Sequence, residues 1–101
     1  MNKLTKVLIV SPTYNEIESI HSLITRIGTI REALANRYDL SLLVVDDNSP
    51  DGTAQKVIAL QAQYAGNLFL EVRTKKSGLG TAYVHGFKWA LMKGYDFIFE
   101  M

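Results

Sequence analysis

Apolar residues follow two rhythms along this chain. Short unbroken runs, Val7-Leu8-Ile9-Val10 and Leu42-Leu43-Val44-Val45, alternate with stretches whose apolar residues recur every three or four positions. A continuous short run predicts a strand buried on both faces, and the spaced pattern predicts an amphipathic helix. Residues 6–11 form the first predicted strand, ended by Pro12. Asn15 then offers a helix N-cap, with Glu18 three residues later as in a capping box. Ile17, Ile20, Leu23, Ile24, Ile27, Ile30 and Leu34 share one helical face, and Arg26, Arg31, Glu32 and Arg37 mark the wet side. The second strand, residues 40–46, runs into the turn-forming cluster Asp46-Asp47-Asn48-Ser49-Pro50-Asp51-Gly52.

Ser49 followed by Pro50 reads as an N-cap and first helical residue. The helix it opens carries Ala54, Val57 and Ile58 and stops near Gly66-Asn67. In residues 68–73, Leu68, Leu70 and Val72 alternate with Phe69, Glu71 and Arg73, the pattern of an edge strand. A basic loop, Lys75-Lys76-Ser77-Gly78-Leu79-Gly80, leads into a helix over residues 81–93. Val84, Phe87 and Leu91 are its expected inner face, and Gly94 suits the position just past its end. Phe97-Ile98-Phe99 reads as a fourth, fully buried strand.

This order, βαβαβαβ, predicts an α/β fold with a parallel sheet and helices on both faces. Right-handed crossovers, an edge third strand and a central first strand give the order 3-2-1-4. Ligands in such sheets sit beyond the carboxyl ends of the strands where the order reverses, here between strands one and four. A buried fourth strand needs a neighbour. Residues 1–101 are therefore expected to be the N-terminal part of a larger domain, and the bared sheet edge is a place for self-association.

Composition narrows the function. The 101 residues carry 11 Lys+Arg and 10 Asp+Glu, a net charge of +1, which speaks against a basic nucleic-acid binder. With no cysteine, a disulfide framework, a thiolate zinc site and a cysteine nucleophile are excluded. The apolar runs fall far short of the ~20 residues of a bilayer helix, and the stretch after the basic start is too short for a signal peptide. The expectation is a soluble, cytoplasmic chain.

Three segments could carry chemistry. After strand one, Tyr14 offers a ring for stacking on a nucleobase and Glu16 an acceptor for ribose hydroxyls; the same residues also suit a plain turn and helix start. After strand two come Asp46 and Asp47. Neighbouring strand residues point to opposite faces, so one of the pair is expected to face a ligand and the other to cap a turn. Arg73, Lys75 and Lys76 before Gly78 and Gly80 would favour an anion. The dinucleotide fingerprint is absent, because Tyr83 takes the third glycine position and the motif follows strand three. His21 and His85 are expected as surface residues, having no partner at metal-binding spacing. An acidic pair after a strand also suggests a phosphoacceptor receiver-like signalling domain, but there the pair follows the first strand.

Pro12-Thr13-Tyr14-Asn15-Glu16, Val44-Val45-Asp46-Asp47-Asn48-Ser49-Pro50-Asp51-Gly52-Thr53 and Gly78-Leu79-Gly80-Thr81-Ala82-Tyr83 with His85-Gly86-Phe87 closely resemble glycosyltransferase family 2. The likeness is strongest to its polyprenyl (dolichyl) phosphate mannose synthases. The resemblance implies a GT-A fold and transfer of a mannosyl group, with inversion, from GDP-mannose to a polyprenyl phosphate. A UDP-sugar donor is the alternative within the family. It implies that Pro12, Tyr14, Glu16, Val45 and Asp47 contact the nucleoside. It also implies a divalent cation, Mg2+ or Mn2+, held by an Asp-x-Asp that would follow a segment like residues 97–101. Neither metal ligands nor a catalytic residue is expected within this chain. The full-length protein is expected at the membrane surface, and the isolated piece is expected to be inactive.

Overall fold

A computed structural model describes residues 4–64, 66–74 and 79–101. The basic loop at Lys75, Lys76, Ser77 and Gly78 lies outside the described residues. The elements are β1 (Thr5–Thr13), α1 (Ile17–Leu34), β2 (Tyr38–Asp46), α2 (Thr53–Gln61), β3 (Leu68–Val72), α3 (Leu79–Lys93) and β4 (Phe97–Glu100). All pairings are parallel, in the order β3-β2-β1-β4. The α/β class, the strand order and the edge position of β3 match the sequence expectation.

The pleat sorts side chains onto two cores. Val7, Leu40, Leu42, Val44 and Leu68 meet Ile20, Ile24 and Ile27 of α1 and Val57 and Leu60 of α2. Leu8, Val10, Leu43 and Val45 meet Ala82 and Ala90 of α3, with Phe69, Phe87 and Trp89 packed around them. One face thus belongs to α1 and α2, and the other to α3.

Several boundaries differ from the sequence expectation. β1 runs through Pro12 to Thr13. Its pairing with β4 ends where the Met101 N–H donates to the Val10 carbonyl at 3.0 Å, so the ring of Pro12 faces the side that β4 has already left, where no ladder donor is missed. α1 begins at Ile17, and Asn15 does not cap it but sits at φ 57. α2 begins at Thr53 after Gly52 at φ 93, so Ser49 and Pro50 lie in the loop before it.

The inner face of α3 is not the expected one. Val84 and Leu91 are 50% and 71% exposed, while Ala82, Gly86 and Ala90 press on the sheet. A Cβ on Gly86 would lie 2.4 Å from Val10 Cγ1, so the missing side chain sets the distance between helix and strand. Gly94, at φ 78, ends α3 as expected.

β4 lies beside β1, but it is not fully buried. Ile98 turns toward α3, whereas Phe97 and Phe99 are each 57% exposed. They fall beside Val7 and Ile9, on the face that α1 and α2 cover farther along. With Leu34, Tyr38 and Leu40 they line an apolar cleft of about 300 Å³. No helix among the described residues is long and apolar enough to cross a membrane.

Candidate functional site at the carboxyl ends of β1 and β2

The loops after β1 and β2 are bound into one unit. Thr13 pairs with Asp46 across the ladder, and the Asp47 N–H donates to the Thr13 carbonyl at 3.1 Å. Beyond that point three consecutive N–H groups of the first loop are held by side chains of the second. Asn15 N–H donates to Ser49 Oγ at 2.9 Å, Glu16 N–H to Thr53 Oγ1 at 3.0 Å, and Ile17 N–H to Asp51 Oδ2 at 3.1 Å. The hydroxyls pass the charge on: Ser49 Oγ donates to Asp46 Oδ1 at 2.6 Å, and Thr53 Oγ1 to Asp51 Oδ1 at 2.5 Å. The start of α1, rich in unpaired donors like any helix start, is capped from another segment instead of from its own sequence.

Asp46 and Asp47 divide as alternation requires. Asp46 is fully buried on the α1 side, where it accepts from Thr13 Oγ1 at 2.6 Å, the Ser49 N–H at 2.9 Å and Ser49 Oγ. It is the turn-capping member. Asp47 turns to the α3 side and takes a bidentate grip from Arg73, Nε to Oδ1 at 2.5 Å and Nη2 to Oδ2 at 2.7 Å. Arg73 Nη1 also donates to Thr81 Oγ1 at 2.9 Å, and the hydrogen bonds to the Asp47 carboxylate raise the guanidinium pKa. A receiver-like pocket would need an open aspartate; Asp46 is sealed and Asp47 is paired.

Partial burial pushes the Asp51 carboxyl up, but hydrogen bonds from Thr53 Oγ1 and the N–H groups of Ile17 and Thr53 outweigh it and hold the group below its ordinary 3.8. A depressed folded value means that the stabilisation is complete above the unfolded pKa and vanishes as pH falls through the folded one. Asp51→Asn should therefore melt below the parent at neutral pH, and the gap should close as the pH falls below the ordinary carboxylate value and through the lowered folded one. Melting curves in a pH series check this; a gap of constant size would show that the charge of Asp51 contributes nothing.

The five residues implicated by sequence occupy one end of the sheet. Pro12 and Val45 are register partners, and Asp47 follows two residues later on the same face. Tyr14, 37% exposed, follows β1 directly, and Glu16 is exposed at the mouth of α1, with Ser19 Oγ 3.2 Å from its Oε2. Val45 differs from the rest: its side chain is wholly enclosed in the α3-side core, beneath the site and not on its surface. The sequence reasoning singled out neither Ser49 nor Thr53 for the site, and placed Arg73 only in a general anion loop. A hydroxyl three residues after the acidic strand end at Asp46, and another two residues after Asp51, are the signals that could have found the first two.

Among the described residues no group of three His, Asp or Glu side chains could hold a metal ion. The described residues do not fit a divalent cation.

Comparison with known proteins identifies the family. The family model described as glycosyl transferase family 2 matches residues 8–99. The chain is 45% identical over 96 residues to an undecaprenyl-phosphate mannosyltransferase of Micrococcus luteus, covering 95% of this chain and 37% of that protein. It is 38% identical over 96 residues to the polyprenol monophosphomannose synthase of Mycolicibacterium smegmatis, covering 95% and 34%. A dolichol-phosphate mannosyltransferase of Pyrococcus furiosus is 39% identical over 85 residues, covering 84% and 22%. Mannosyltransferase PcManGT from Pyrobaculum calidifontis, solved in complex with GDP-Man and Mn2+, superposes with a TM-score of 0.59 at 27% identity, covering 87% of this chain and 25% of that one. The chain thus spans about a third or less of the length of these proteins. A match running nearly from end to end, on a sheet of the expected GT-A order, makes the chain a member of glycosyltransferase family 2.

Proposed function

We propose that this chain is the nucleotide-binding part of a longer enzyme that transfers a mannosyl group from GDP-mannose to a polyprenyl phosphate with inversion. The observation that carries the reading is the convergence of Pro12, Tyr14, Glu16 and Asp47 at the carboxyl end of β1 and β2, where α/β sheets place ligands. The names of its relatives supply the acceptor and the sugar, and the solved mannosyltransferase supplies the donor.

The chemistry suits a scaffold without a base. Breaking the sugar–phosphate bond leaves a nucleoside diphosphate, and a divalent cation held by other parts of the longer enzyme would supply the charge to balance it. The acceptor phosphate is already anionic at neutral pH and needs no strong base. What remains for this part is positioning: a ring for the base, carboxylates for its N–H groups or the ribose, and a rigid loop between them. The cation belongs to residues outside these 101, and the lipid acceptor brings the full-length enzyme to a membrane surface.

Tyr14→Ala and Asp47→Ala should each weaken GDP binding by the full-length protein by about 1–2 kcal/mol, for a lost stack or a lost hydrogen bond to charge. Titration calorimetry with GDP and UDP measures this and decides the donor. Unchanged affinity in both variants would remove the site, and tighter UDP binding would turn the reading to a UDP-sugar enzyme.

A further inference from the structure

We propose that Arg73 is a positioning residue that fixes the Asp47 carboxylate for nucleoside recognition and ties it to the first turn of α3. The inference rests on the reading of Asp47 as a nucleoside contact, and it gives a role to a residue one position beyond the edge strand.

Arg73 is held at both ends. Its N–H donates to the Asp46 carbonyl at 2.8 Å, extending the β2–β3 ladder one step past β3. Its guanidinium grips both oxygens of Asp47 and reaches Thr81. Neither partner is on open surface, with the Arg73 and Asp47 side chains 13% and 7% exposed. A two-point grip sets the plane of a carboxylate as well as its place, which a single ammonium cannot do. Each carboxylate oxygen keeps a further lone pair after accepting one bond from Arg73. Asp47 therefore presents acceptors in a fixed direction on the α3 side of the sheet, two residues past the register partner of Pro12. Three elements, β2, β3 and α3, meet in this one guanidinium.

The test is calorimetric titration of the full-length protein with GDP and with inorganic pyrophosphate, each with Mn2+, alongside melting curves. The variants are Arg73→Gln, Arg73→Lys, Asp47→Ala and the double variant Arg73→Gln/Asp47→Ala. Arg73→Gln is expected to weaken GDP binding about tenfold, as for one hydrogen bond to a charged group, with pyrophosphate binding unchanged. Arg73→Lys should recover little of it. The double variant should bind GDP no more weakly than Asp47→Ala, because both act through one carboxylate. Equal losses for GDP and pyrophosphate, full recovery by lysine, or additive losses would each overturn the proposal. Should Arg73→Gln fail to fold, Thr81→Val serves in its place: a severalfold loss for GDP alone supports the role, and no loss refutes it. If Asp47→Ala itself leaves GDP binding unchanged, the site reading fails. If Asp47→Ala weakens binding while Arg73→Gln does not, only the role of Arg73 fails.

Discussion

Asp46→Ala should destabilise the fold by about 3–5 kcal/mol, the largest effect expected of any single change. The carboxylate is fully buried and accepts three hydrogen bonds, from Thr13 Oγ1, the Ser49 N–H and Ser49 Oγ. Alanine leaves those donors without their carboxylate partner in a buried place. Each buried orphan costs about 1–3 kcal/mol, and small domains have only about 5–15 kcal/mol to lose. The damage would spread to the first loop, since Ser49 Oγ, freed from Asp46, no longer holds a fixed place for the Asn15 N–H. Urea unfolding of the parent, Asp46→Ala and Asp46→Asn would read this. Asparagine keeps one acceptor oxygen and should fall between the other two. A loss below about 1 kcal/mol for Asp46→Ala would mean that the hydroxyls find other partners at little cost.

Gly86→Ala should cost about 2–3 kcal/mol net, against the helix-propensity gain of about 1 kcal/mol that the same change brings elsewhere. The new Cβ would sit 2.4 Å from Val10 Cγ1 and 3.1 Å from Val10 Cγ2. Val10 is fully buried on β1, which has neighbours on both sides, so the strand cannot retreat and α3 must lift. Val10→Ala in the Gly86→Ala background should restore part of the loss, a coupling that a double-mutant cycle measures. Gly28 is the internal control. A Cβ there would meet Tyr64 Cε1 at 2.6 Å, but that atom is the far end of a half-buried side chain that can swing away. Gly28→Ala should be close to neutral, and an equal loss at both glycines would show that the sheet is not what resists.

The strand order was legible because it depends on signals the chain carries locally. Unbroken apolar runs in β1 and β2 mark central strands, and the charged alternation of Phe69, Glu71 and Arg73 marks an edge. The helix starts were misread for the opposite reason. Asn15 and Ser49 are good capping residues, and local rules assign each to the helix that follows it. In the fold, Ser49 serves the loop of α1, and Asn15 supplies only its N–H. Capping by a segment some thirty-four residues away leaves no local trace. The face of α3 was misjudged by weighing bulk. Val84 and Leu91 looked inward because they are large, while the spacing of Ala82, Gly86 and Ala90, four residues apart, pointed to a close approach. Phe97 and Phe99 were expected to be buried because an apolar run reads the same whether or not its face is covered. At the site, alternation alone separated Asp46 from Asp47, but nothing in the text of the chain joined Asp47 to the residue just past the third strand.

The borrowed cap also bears on how the molecule assembles. The N–H groups of Asn15, Glu16 and Ile17 stay without their acceptors until Ser49, Asp51 and Thr53 have been synthesised and folded against them. Contacts this distant in sequence must first overcome the entropy of closing the intervening loop, and it is the pairing of β1 with β2 that brings these groups together. The turn bearing Tyr14 would thus acquire its shape after the central strands have docked, and substitutions at Ser49 or Thr53 would speed unfolding more than they slow refolding.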